Sequence, residues 1–200
     1  MESYATRPGS ESRVTRRATE QREVWLRGNT RPVAGLATVI GIVAAAILPP
    51  VIAAGSPRWL VWAILGGAGA ASAGLVAIGR AAARPRLIRA GEHLEIRLSP
   101  TAVERVPLDV VECVFRGTEP LSEGSGDAPP RFRVGTLVVR FAERAAAWRK
   151  RPTFGPWGTW DDGHAVIDGR WCEPLSRPTV ERIAAALVEA KRQLTAERGA

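Results

Sequence analysis

The sequence predicts an α+β membrane protein in which a transmembrane helical hairpin is followed by an antiparallel β domain that a C-terminal helix covers. Three observations carry this. Val33–Gly79 runs 47 residues with one formal charge, Arg58, and no Asp, Glu, Lys or His. Beyond it, apolar and polar residues alternate, the period of half-buried strands. The chain then closes on residues 179–198, where Val180, Ile183, Ala184, Leu187 and Leu194 form one helical stripe. This divides the chain into a polar basic tail (1–31), a hairpin (32–80) and a cytoplasmic β domain (84–198).

The break from Pro49-Pro50 to Arg58 splits the apolar run into roughly Val33–Ala54 and Trp59–Gly79. Each approaches the ~20 residues that a helix needs to cross a ~30 Å hydrocarbon core. Two such segments in tandem fit membrane spans better than buried helices of a soluble core. They also fit better than a cleaved signal peptide, which needs only one. Pro49 and Pro50 lack the N–H of the helical ladder, so the first helix is expected to end near Leu48 or bend sharply there.

Orientation follows from arginine. Arg13, Arg16, Arg17, Arg22, Arg27 and Arg31 precede the hairpin and Arg80, Arg84, Arg86 and Arg89 follow it, against Arg58 alone in the connection. The positive-inside rule places both termini in the cytoplasm and the protein in the cell (inner) membrane as a multi-pass protein. Trp59 and Trp62 are expected as anchors at the outer interface, with Trp25 near the inner one. In the second span Gly66, Ala70 and Gly74 recur every four residues. This small-residue face suits close packing on the first span, or on a second copy.

A net charge of +8 with pI near 11 would suggest nucleic acid in a soluble protein. Here the excess flanks the spans and is explained by topology and anionic headgroups, so nucleic acid is not expected. Cys113 and Cys172 form no CxxC pair, and His93 and His164 are the only imidazoles. No metal or cofactor is expected.

The tail carries seven Arg and four Glu with few apolar residues before Val24, and is expected to be solvated. A helical turn near Glu20–Leu26, with Trp25 and Leu26 in the headgroups, is the other option. After the hairpin, Arg86–Ala90 and His93–Leu98 form a β-hairpin across Gly91-Glu92. Asp109–Arg116 alternates with Val111, Cys113 and Phe115 on one side, which makes Cys113 a core residue. Gly117–Arg131 reads as a surface loop, Phe132–Phe141 as a strand, and Arg149-Lys150-Arg151 as a basic patch. The Trp- and Gly-rich stretch 153–163 has no clear period. Asp168-Gly169 is expected to turn a hairpin between His164–Ile167 and Arg170–Glu173. Ser176 caps the last helix and Pro178 suits its first turn.

The order of hairpin, short strands and closing helix resembles small bacterial membrane proteins with a pleckstrin-homology-like domain. The resemblance rests on Arg86-Leu-Ile-Arg-Ala-Gly-Glu-His-Leu-Glu-Ile-Arg97 as the opening hairpin and on Val106-Pro-Leu-Asp-Val-Val-Glu-Cys-Val114, which looks like that family's Ile-Pro-Leu-x-x-Ile-x-x-Val. The closing Pro174-Leu-Ser-Arg-Pro-Thr-Val-Glu-Arg-Ile183 completes it, and about residues 33–197 are covered. The resemblance implies a PH-like antiparallel partial β-barrel of seven strands in two near-orthogonal sheets, capped by the C-terminal helix.

Three functions compete. An enzyme would use Cys172 with His164 and Asp161 or Asp168, but in the Asp168-Gly169 hairpin His164 and Cys172 point to opposite faces, so no catalytic activity is expected. Eukaryotic PH domains hold phosphoinositides through basic residues of the first hairpin, which makes Arg86, Arg89 and Arg97 candidate lipid contacts. Trp157 and Trp160 are candidates for a protein contact, or else complete a small core. The reading is a membrane-anchored scaffold or interaction module with a protein partner or self-association, and anionic headgroup binding as the alternative.

Overall fold

The computed structural model describes residues 22–55, 57–120, 133–148 and 154–199. Residues 1–21 of the tail, most of the loop expected at 117–131 and the basic patch 149–151 lie outside them. The chain divides into two units, one holding residues up to Arg27 and from Pro85 on, the other Gly28–Arg84.

The second unit is a pair of helices, α1 (Arg31–Ala53) and α2 (Arg58–Ala83). At ~1.5 Å per residue they are about 35 and 39 Å long. Both are long and apolar enough to cross a membrane, and their apolar windows are wholly unburied, with Leu36, Val39, Ile42 and Val43 turned outward. Of the two options at Pro49-Pro50, a stop near Leu48 or a sharp bend, the stop does not occur: α1 runs on through both prolines. Proline's fixed φ is itself helical, so what is lost is two ladder bonds near the helix end, where Ala54 N–H still reaches the Pro50 carbonyl at 2.9 Å.

Helix α2 does not meet α1 through its small-residue stripe. A groove of about 320 Å³ between the helices is lined on the α2 side by Ala68, Ser72, Leu75 and Val76. At about 100° per residue, that side lies opposite Gly66, Ala70 and Gly74. A Cβ at Gly66 or Gly74 would meet nothing within 4 Å, so packing of this face on the first span is not what forms. Close approach occurs instead at Gly28, where a Cβ would collide with the carbonyl oxygens of Ala82 and Arg84 at the end of α2.

The first unit is built from nine described strands in two antiparallel sheets, which do not close into a barrel. The first sheet has the order β1 (Arg22–Leu26), β2 (Leu87–Ala90), β3 (His93–Ile96), β4 (Glu104–Pro107). The second runs β5 (Val111–Pro120), β6 (Arg133–Phe141), β9 (His164–Asp168), β8 (Gly158–Asp161), β7 (Phe154–Gly155). Helix α3 (Arg177–Arg198) packs against β1, β5 and the turn Leu108–Val110 between the sheets. Its Ile183, Leu187, Ala190 and Leu194 enter a core shared with Leu87, Leu94 and Ile96 of the first sheet and Leu137, Val139 and Ile167 of the second. Ser176 caps α3 by accepting the Thr179 N–H, and Pro178 stands in its first turn, as expected.

Four expectations are corrected in this unit. The end of the tail is an edge strand: Val24 pairs with Ile88 and Leu26 with Leu87. Alternation is too short in five residues to announce itself, yet it places Leu26 in the core. In β5 a register shift between Val111 and Cys113 turns Val111 and Val114 inward and leaves Cys113 exposed. One extra residue inverts the facing of everything beyond it. The strand also continues to Pro120, into the stretch expected as loop. Finally, Asp168-Gly169 is not a hairpin turn. The turn is Asp162-Gly163, with φ of 25° and 79°, which joins β8 to β9 with Asp161 opposite His164. Asp168 instead ends β9, and its carboxylate accepts the Arg170 N–H at 2.8 Å at the start of a 3-10 turn over 169–171.

Candidate functional site

The residues expected to face a partner or a membrane from the β unit are mostly inside it. Trp25 is 1% exposed and belongs to the core, because β1 carries it into the first sheet, so it is not an interfacial anchor. Trp157 and Trp160 are 2% and 7% exposed. The Trp160 ring stacks on Phe141 at 4.7 Å between centroids, and its Nε1 donates to the Trp148 carbonyl at 2.6 Å. Trp157 N–H donates to the Leu98 carbonyl at 3.3 Å, and its carbonyl accepts the Asp168 N–H at 2.9 Å. These indoles complete a core, as one of the two options had it, and offer no contact surface.

Trp157 also has a charged neighbour. The Arg86 guanidinium lies 3.6 Å from the centre of its ring, fully buried, and donates through Nε to the Trp171 carbonyl at 3.0 Å. Burial, reinforced by the nearby positive charge of Arg97, holds Arg86 down to about 10, so it stays charged at neutral pH. A cation over an indole face in a water-poor site is attractive, which makes this pairing structural. Arg89 is likewise engaged, with Nη1 donating to Gln193 Oε1 at 2.8 Å and Nε to the Gly91 carbonyl at 3.3 Å, fastening β2 to α3. Arg97 follows β3, is half-buried, and donates its backbone N–H to the Arg86 carbonyl at 2.9 Å. Arg86 and Arg89 therefore do not form an exposed basic face for headgroups.

Cys172 is buried beside Arg86, and burial pushes its thiol up to about 12 despite the favourable guanidinium. A thiol held protonated at neutral pH is a poor nucleophile. It shares the core with Ala165 and Ile167, whereas His164 alternates to the other face of β9 and sets its Nδ1 3.0 Å from the Asp162 carbonyl. Asp168 is engaged by Arg170. The chain does not bring His164 to Cys172, and Asp168, held by Arg170, acts on the thiol only by its charge, which raises it further.

Two clusters escaped the sequence reading. Glu95 of β3, nearly buried, is reached by Arg22 of β1 at 2.6 Å and by Arg105 of β4 at 3.2 Å. Glu173 takes the Arg27 N–H at 3.1 Å and Arg182 at 3.1 Å, while Arg182 also donates to the Trp25 carbonyl at 3.1 Å. Both tie β1 into the domain. Opposite charges on alternating strand positions were visible in the sequence, but the pairing of β1 was not. Comparison of the chain with family models, with curated proteins and with solved structures finds no match.

Among the candidate residues, the exposed tryptophans belong to the helical unit. Trp59 and Trp62 stand outward at the start of α2, and the face of Gly66, Ala70 and Gly74 is open.

Proposed function

We propose that this chain is a membrane-anchored scaffold or protein-interaction module without catalytic activity, whose apolar hairpin crosses the cell (inner) membrane twice and whose PH-like β unit stands on the cytoplasmic side. The observation that carries this is the pairing of β1 with β2. Because these strands flank the hairpin in the chain and share one sheet, both ends of the hairpin lie on one side of any membrane it enters. Two crossings meet that condition and one does not. The outward apolar side chains of both helices fit lipid, since a soluble unit would leave them in water. The arginine excess at the strand-bearing end favours the cytoplasm. Four strands, a second antiparallel sheet and a single helix across the seam agree with a PH-like arrangement.

Self-association is the favoured form of partnership, because the small-residue face of α2 points away from α1. Headgroup binding by Arg86, Arg89 and Arg97 is the weaker alternative, as the first two are committed inside the domain. Cysteine scanning in vesicles tests the first reading. Ala70→Cys on a Cys113→Ser background is expected to give disulfide-linked dimers on mild oxidation, and Leu75→Cys, on the α1 side, is not. Equal crosslinking at both positions, or none at either, removes the α2 face as a contact.

A further inference from the structure

The helical unit Gly28–Arg84 carries Arg31, Arg58, Arg80 and Arg84 and no carboxylate, since the sequence has no Asp or Glu between Glu23 and Glu92. Three of these arginines sit where the chain enters and leaves the unit. Arg58 stands alone at the other end, about 35 Å away along α1. It lines a groove of about 530 Å³ with Ile52 from the end of α1 and Val61, Trp62 and Leu65 from the first turns of α2. A cation thus rims an apolar groove in a unit that supplies no anion.

We propose that this groove seats one phospholipid of the leaflet at the turn of the hairpin, with Arg58 on the phosphate oxygens and Trp62 against the glycerol and upper acyl chain. The inference rests on reading the hairpin as two membrane spans. Charge complementarity selects the occupant. A guanidinium presents paired N–H donors that match phosphate oxygens, and the bilayer surface is where such a group meets this end of the hairpin. The walls of Ile52, Val61 and Leu65 suit acyl methylenes and offer nothing to a freely dissolved anion. Trp62, 72% exposed, has the amphipathic ring that lies well at that depth.

The test uses the full chain in mild detergent, with native mass spectrometry counting retained lipid. Palmitoyl-oleoyl phosphatidylglycerol, the matching phosphatidylcholine and the diacylglycerol without phosphate are the probes. Both phospholipids should be retained and the diacylglycerol should not. Arg58→Gln should retain one phospholipid fewer, with affinity at this site about tenfold lower. Arg58→Lys should keep most of it, and Arg80→Gln, at the far end, should match the unaltered chain. Undiminished retention by Arg58→Gln, or diacylglycerol retained as well as phospholipid, overturns the site. Alkaline extraction from vesicles separates the two layers of argument: a chain released by carbonate defeats the spanning reading and the site with it, whereas an inserted Arg58→Gln chain with full retention defeats the site alone.

Discussion

Leu26 and Leu87 are paired across adjacent antiparallel strands, both fully buried, although the entire apolar hairpin lies between them in the chain. The β unit is therefore discontinuous in sequence, and its first strand is supplied from before the hairpin. A fragment beginning at Arg84 lacks Trp25 and Leu26 and leaves Leu87 and the edge of β2 uncovered, so it is expected to aggregate or to melt without a cooperative transition. A chain in which a short Gly-Ser linker replaces residues 29–83 restores β1. The Arg86 N–H already reaches the Leu26 carbonyl at 2.8 Å, so the closure is short. This form should be soluble, rich in β structure by circular dichroism and cooperative in thermal unfolding. Equal stability of the two fragments would show that β1 is dispensable.

The same relationship makes Glu95 a structural keystone of the first sheet. Its carboxylate lies between Arg22 and Arg105, whose own side chains are largely exposed, so most of the desolvation falls on the glutamate. Arg22→Ala removes one of two partners and should cost about 1–2 kcal/mol by denaturant unfolding of the linker form. Glu95→Gln keeps the shape and should cost less than Arg22→Ala combined with Arg105→Ala. A neutral Arg22→Ala would mean that its ion pair with Glu95 does not help to hold β1.

Most of the fold was legible from pattern. The two long apolar helices follow from length and lack of charge, the β2–β3 hairpin and β6 from period-two alternation, and α3 from its stripe and its Ser176 cap. What failed did so where a local signal competes with a long-range one. Five residues before α1 read as tail because their partner strand lies beyond the hairpin. Cys113 read as core because a bulge carries no mark in composition. Two Asp-Gly pairs occur within eight residues, and only the strand pairing on either side decides that Asp162-Gly163 turns while Asp168 caps. For the candidate site, Trp157 and Arg86 were each singled out, Arg86 as a lipid contact and Trp157 as either a protein contact or a core residue. Neither residue type alone reveals that they pair with each other, at 3.6 Å, inside the domain.

That pairing predicts the outcome of Trp157→Ala. Removing the indole opens a cavity and strips the Arg86 guanidinium of its aromatic face, so the loss should be about 3 kcal/mol or more. Arg86→Met, which keeps an apolar stem and removes the buried charge, should cost less than Trp157→Ala. Equilibrium unfolding of both variants checks the order. A Trp157→Ala protein as stable as the parent would return this residue to the surface.

The two cysteines give the last prediction, because Cys113 is exposed on β5 and Cys172 is buried after the 169–171 turn. In the native protein Cys113 should react with a thiol reagent near pH 8 and Cys172 should not; denaturant should raise the titre from one thiol to two. The pH dependence follows from Cys172, whose folded value of about 12 stands above its ordinary 9.0. Between those values the unfolded chain gives up the thiol proton while the folded chain keeps it, so the folded state binds more protons and stability falls as pH rises. The contribution is whole below pH 9 and is lost by about pH 12. Arg86, held down to about 10, acts in the opposite sense above that pH, where the folded chain is the first to release its proton. The Cys172→Ala variant should therefore lose less stability than the parent from pH 9 to 10; the Arg86 titration, half complete at pH 10, opposes the fall in both proteins, so the difference between the two curves reports Cys172. Parallel curves for the two proteins over that interval would mean that Cys172 is not shielded in the folded state.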